Sequence, residues 1–290
     1  MGYGIHDDEP ETGAGSDRPP EVRPLSTDAG HVVSTATSGS VANPLVEYLL
    51  RLGDDRLVLG HRLSEWAGHG PILEEDIALS NIALDLIGQA SLLLELAGTT
   101  EGKGRNADAL AYFRDAVDFR NVQLVELPIG DFGFTIVRQF LFSAFQVPFL
   151  EHLQKSSHDT LAGIAAKGYK EVVYHLRHSA DWMLKLGDGT AESHARAQAA
   201  LDALWPYSHE LFLADAVDAV LLAQGIAVDP ATIAPLWRKT VTEVVGAATL
   251  ALPVDGWKAR GGRAGKHTEH LGHMLAEMQI LARSHPGAQW

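Results

Sequence analysis

The chain reads as an all-α protein, a four-helix bundle with additional C-terminal helices. Three observations predict this. Apolar residues recur at spacings of three and four over four long stretches between Asn43 and Gly189. Gly and Pro clusters separate those stretches, and no alternating strand pattern occurs. With 290 residues, 46% of them hydrophobic, the chain also has ample material for one large helical core.

Residues 1–42 come first and stand apart. They hold four Pro, six Gly, seven acidic and two basic residues, and so contribute −5 of the net −14. Without an apolar run this segment is neither signal peptide nor membrane span, and its composition predicts disorder. A single helical domain is expected over 43–290. Asn43 before Pro44 makes a helix start, and Leu45, Leu49, Leu52, Leu59 and Leu63 carry a first helix to Trp66. Gly68 to Pro71 break the chain. A second helix is expected over about 72–97, followed by a Gly-rich loop over 98–105. Residues 108–127 predict a shorter, broken helix ended by Pro128 and Gly130. The third long helix spans about 132–154, with a kink at Pro148, which deletes an intrahelical donor. The fourth covers about 160–186 and stops at Gly187-Asp-Gly189. Shorter helices are expected over 191–204, 206–224 and 230–250, then a polar loop over 256–266 and a last helix over 267–284. Together these describe a decorated four-helix bundle.

The net charge of −14 and pI near 5.4 argue against nucleic acid or an anionic membrane as partner. There is no cysteine, which excludes disulfides, thiolate catalysis and iron–sulfur clusters and favours a cytoplasmic location.

The middle of the long helices carries the chemistry. Glu171 and His175 stand one turn apart, and Asp85 is the lone charge in the apolar stretch 77–94. Such a carboxylate is costly to bury unless it is paired, protonated or bound to metal. Bundles that hold two metal ions carry Glu on each of two helices and Glu-x-x-His on each of the others. Counting outward from the joining loops puts Asp54 opposite Asp85 and Ser143 opposite Glu171, at one height, with His175 a turn away. The ligand count then falls short. Ser143 stands where a carboxylate is needed, and Gly88 and Tyr174 stand where His is needed. His175 is one residue late, displaced by about 100° around the helix. The expectation is a metal-free polar network, with Lys167, four residues before Glu171, as the neutralising cation.

Several stretches carry a resemblance to a known family. They include Leu-Arg-Leu-Gly-Asp at 50–54, Asn-Ile-Ala-Leu-Asp-Leu-Ile-Gly-Gln-Ala at 81–90 and Lys-Glu-Val-Val-Tyr-His-Leu-Arg at 170–177. Gly-Ile-Ala-Val-Asp-Pro at 225–230 and His-Thr-Glu-His-Leu-Gly-His-Met at 267–274 continue them. On these residues the chain from about 44 to 290 resembles the PaaC family, structural subunits of the multicomponent ring-1,2-phenylacetyl-CoA epoxidases of bacterial phenylacetate degradation. The resemblance implies a ferritin-like fold with no catalytic residue and no cofactor in this chain. It implies a homologous PaaA-like subunit that holds a di-iron centre and most of the phenylacetyl-CoA, together with the other subunits of the complex. That complex would epoxidise the ring with dioxygen and electrons from an NADPH-dependent reductase. Two other readings stay open: an autonomous di-metal carboxylate oxygenase, and a helical module that binds an acyl-CoA.

The loop Arg260-Gly-Gly-Arg-Ala-Gly-Lys-His-Thr268 lacks the spacing of a phosphate-binding P-loop. It does place Arg260, Arg263 and Lys266 beside the positive end of a helix, which suits an anion such as a CoA phosphate, although a solvated loop or a protein contact is the commoner use of such a segment. His267, His270 and His273 recur at i, i+3, i+6, a pattern expected to serve packing rather than a surface metal.

Overall fold

The computed structural model of the protein describes residues 43–288, so the segment 1–42 that composition predicts to be disordered lies outside the described residues. Among the described residues there are ten α-helices and no strand. Helix α1 (Pro44–Ser64) starts as its sequence dictates, with the Asn43 side chain accepting from the Leu45 amide at 3.1 Å. Helix α2 (Leu73–Glu101) opens with Glu74, Glu75 and Asp76 at its positive end and closes on left-handed Gly102. It is longer than expected because Gly98 does not stop it. A Cβ at Gly98 would lie 1.9 Å from the Arg105 carbonyl oxygen, so this glycine admits a close chain approach inside the helix.

The stretch after α2 resolves into α3 (Ala107–Tyr112), a 3-10 turn at Ala116–Asp118 and α4 (Gln123–Glu126). Helix α5 (Phe132–Leu153) continues through Pro148, and α6 (Asp159–Gly187) follows. Helix α7 (Ala191–Ser208) runs through Pro206, where a boundary was expected. Burial of Leu204 and Trp205 outweighs the loss of one backbone donor in the last turn. A 3-10 turn at His209–Phe212, α8 (Ala216–Ala223), α9 (Pro230–Ala247) and α10 (Glu269–Ser284) complete the chain.

Two antiparallel hairpins, α1 with α2 and α5 with α6, make the bundle, and α7 and α9 cover α5. In the second hairpin Phe132 meets Trp182 edge to face at 4.9 Å, the register that sets Ser143 opposite Glu171. The first hairpin departs from the outward count. Gly53 lies against Leu94, and Gly60 lies against Ile87. Asp54 is therefore level with Leu93, about eight residues or ~12 Å from Asp85. The cause is the segment 65–72, which continues in hydrogen-bonded turns from Trp66, Ala67 and His69 before α2 begins. The first turns of α2 consequently overhang the end of α1.

Helix α1 is unusual in what it buries. Arg51, Asp54, Asp55, Arg56 and Arg62 are all inside the protein alongside its leucines. Buried charges must be partnered, and these partners organise the rest of the chain.

Candidate functional site

The heart of the bundle, where a metal pair would lie, is taken by a guanidinium. Arg56 donates from Nε to Gln89 Oε1 at 2.9 Å, from Nη1 to the Leu52 carbonyl at 2.8 Å and from Nη2 to Gln146 Oε1 at 2.6 Å. Its three direct acceptors are neutral and belong to three helices. Burial pulls its pKa down to about 10, partly offset by the Asp55 charge, so it remains a cation at neutral pH. Gln89 turns its amide the other way, donating to Glu171 Oε2 at 2.8 Å. The positive charge that the network requires is therefore Arg56. Lys167, the cation expected from spacing, is exposed and forms no ion pair among the described residues.

The residues expected at one height are dispersed. Asp85 lies on the seam between α2 and α6, with its side chain 37% exposed, and meets buried His175 Nε2 at 3.0 Å. One end of the same seam holds His178 against Glu75 at 2.8 Å. Ser143 is buried and accepts from Gln139 at 2.8 Å. Asp54 faces away from all of these. Both its oxygens accept from Arg114, one at 2.9 Å, and the Arg120 amide donates to it at 2.8 Å. Asp54, Asp85, Ser143 and Glu171 thus do not form one cluster, because the overhang of α2 moves Asp85 away from Asp54. Among the described residues no three His, Asp or Glu side chains converge as metal ligands do. Asp85 with His175 offers two donors, Glu171 is engaged by Gln89, and a fixed cation stands next to both Gln89 and Gln146. This donor set does not fit a di-metal centre.

The Gly-rich loop likewise binds anions, and they belong to the protein. The Gly261 and Gly262 amides donate to Glu210 Oε1 at 2.8 and 2.7 Å. At the start of α10 the Thr268 amide donates to Glu126 Oε1 at 2.5 Å, and His267 Nδ1 lies 2.7 Å from Glu126 Oε2. Burial opposes the charged imidazole, but the Glu126 hydrogen bond and charge outweigh it and hold the His267 pKa above its ordinary value. Arg263, for which the sequence offers either a phosphate or a protein contact, makes the protein contact: it is clamped on Asp55 at 2.8 and 2.9 Å and also donates to the Arg51 and Arg120 carbonyls. Only Arg260 and Lys266 of the three loop cations are exposed. A CoA phosphate thus has neither the helix end nor Arg263 available.

Sequence reasoning passed over Arg56, Gln89, Gln146, Arg114, Glu126 and Glu210. For the first there was a signal. Leu49, Leu52, Leu59 and Leu63 make a 3–4 stripe whose missing member is position 56, so Arg56 had to face the core.

These features are those of a helical bundle with a buried, fully partnered guanidinium at its centre. A family model for phenylacetic acid catabolic proteins matches residues 33–290. The chain belongs to that family. A subunit of 1,2-phenylacetyl-CoA epoxidase from Escherichia coli (strain K12) is 48% identical over 248 residues, covering 86% of this chain and 100% of that relative. The family's matched span contains every buried charge described above, including both ends of the Asp55–Arg263 pair.

Proposed function

We propose that this chain is a non-catalytic structural subunit of a multicomponent di-iron oxygenase that epoxidises the ring of phenylacetyl-CoA in aerobic phenylacetate catabolism. A homologous PaaA-like subunit supplies the di-iron centre and most of the contacts to substrate, and a reductase of the complex supplies electrons from NADPH. The observation that carries this reading is Arg56, a buried cation held by three neutral oxygens where metal ligands would have to converge. A dication beside that guanidinium meets repulsion rather than coordination. The Escherichia coli epoxidase relative supplies the reaction and the expectation of partners.

The test has two parts. The purified chain, loaded with ferrous iron and desalted, should retain well under one equivalent of iron and show no epoxidation of phenylacetyl-CoA with oxygen and reductant. Mixed with the homologous metal-bearing subunit it should co-elute on size-exclusion chromatography and, with the reductase, restore turnover. Retention of about two irons per chain or activity of the chain alone would make it an autonomous oxygenase.

A further inference from the structure

The α2–α6 seam sets exposed apolar side chains beside a row of exposed cations. On α2 the outward face carries Ile77 and Leu84, which are 52% and 66% exposed, with Leu73 at 72% and Leu92 at 39%. These four recur along one side of the helix over 20 residues, about 30 Å. By length and composition α2 could cross a membrane, yet half of its most apolar window is buried in the bundle. The stripe lies on the remaining, outward side, where Asn81 and Ser91 are also exposed. Gly88 sits within it, and a Cβ there would meet nothing, so another backbone can come close.

Helix α6 borders the stripe with positive charge. Lys167, Lys170, Arg177 and Lys185 are all exposed there, against one exposed carboxylate in the same stretch, Asp181. None of the four cations forms an ion pair among the described residues, in a chain whose net charge is −14. Two are held over aromatic rings: Arg177 lies 5.6 Å from the Tyr174 ring centre and Lys185 lies 4.6 Å from that of Trp182. Tyr174 is itself 41% exposed and stacks on His178 at 6.1 Å. The seam pairs Asp85–His175 and Glu75–His178 fix the two helices side by side beneath this surface. The antiparallel register sets Tyr174 near Leu84 and Lys167 near Leu92.

We propose that the outward face of α2 and α6 is the docking surface for an acidic amphipathic helix of a second helical subunit. This rests on the reading that the chain works inside a multisubunit assembly. The apolar stripe on α2 matches the long straight contact that a helix makes, and the α6 cations pair with Asp and Glu flanking the partner's apolar face. An apolar strip beside Lys and Arg also suits an anionic lipid surface, and the same variants separate the two.

The experiment measures binding of the full chain to the homologous metal-bearing subunit by sedimentation and interferometry. Leu84→Glu, and separately Lys167→Glu with Lys170→Glu, should each weaken binding by roughly tenfold or more, since hot-spot and charge contacts are lost. Leu236→Glu, at an exposed apolar residue of α9, serves as the control and should change nothing. Circular dichroism and melting of each free variant should match the wild type, because the replaced side chains are exposed. Raising salt from about 50 to about 500 mM should weaken the wild-type complex more than that of the double Lys variant. A wild-type complex that survives all these changes would overturn the surface and leave the functional reading standing. A wild-type chain that does not bind that subunit at all overturns both. Co-sedimentation with phosphatidylglycerol vesicles that the double Lys variant abolishes, alongside unchanged subunit binding, assigns the face to a membrane and overturns the proposal.

Discussion

Arg56 and Asp54 lie two residues apart on α1 and answer the same demand, a buried charge in need of partners, in different ways. Arg56 is satisfied by neutral oxygens from three helices, so Arg56→Ala leaves Gln89 Oε1, Gln146 Oε1 and a cavity behind. It should cost about 3–5 kcal/mol in urea unfolding. Asp54→Asn removes the countercharge of buried Arg114 and should likewise cost about 3–5 kcal/mol. Asp85→Asn should cost under about 1 kcal/mol, since Asp85 is part exposed and Asn still offers His175 an oxygen. A large loss at Asp85 with a neutral result at Asp54 would reverse this assignment. At this scale the sequence was partly legible. The gap in the leucine stripe marks Arg56 as inward, but nothing in the chain order shows that Arg114, 60 residues on, is the partner of Asp54.

The loop before α10 shows why an element can be located from sequence and still be misread. Glycines, cations and a following helix were all legible, and they do form an anion-binding loop. The anions, Glu126 and Glu210, stand 142 and 52 residues away along the chain from Thr268 and Gly262, so only the fold identifies them. Gly262 has a packing reason as well, because a Cβ there would lie 2.2 Å from the Asn121 carbonyl oxygen. Gly262→Ala should destabilise by about 2–4 kcal/mol, measured by denaturant unfolding, where a solvated glycine would give under about 1. His267 adds a pH dependence to the same element. Its folded pKa lies above the ordinary 6.5, so its ion pair with Glu126 contributes fully below that value and is lost as pH rises through the raised one. The stability gap between wild type and His267→Gln should therefore be larger at about pH 6 than at about pH 8.5. Helix boundaries followed local signals well where a cap stood out, as at Asn43, and poorly at Gly98 and Pro206, where packing overrode them.

Across the whole molecule, α1 serves as the fixture to which distant segments are pinned by charge. Arg51 holds Asp215 and Asp218 beside α8, Asp55 holds Arg263, and Arg62 holds the Glu126 and His270 carbonyls. The C-terminal part is therefore not an ornament on a finished bundle. Deleting residues 256–290 would strand Asp55, Glu126 and Glu210 as buried carboxylates, and should abolish cooperative melting by circular dichroism rather than lower its midpoint. The four long helices were readable because each repeats a simple period, and the height of α6 against α5 was readable too; the height of α2 against α1 was not, because the turns after Trp66 carry α2 past the end of α1. The Arg56 cluster also bears on what it would take to build a metal site at this centre. Exchanging Gln89 or Gln146 for Glu with Arg56 in place makes an internal ion pair, and the guanidinium already fills the position of the cation. Removing Arg56 first orphans two buried amide oxygens before any ligand has been gained. Each opening move either costs stability or yields no affinity for metal, so single substitutions at this centre run uphill in both directions and the Arg56 cluster behaves as a ratchet.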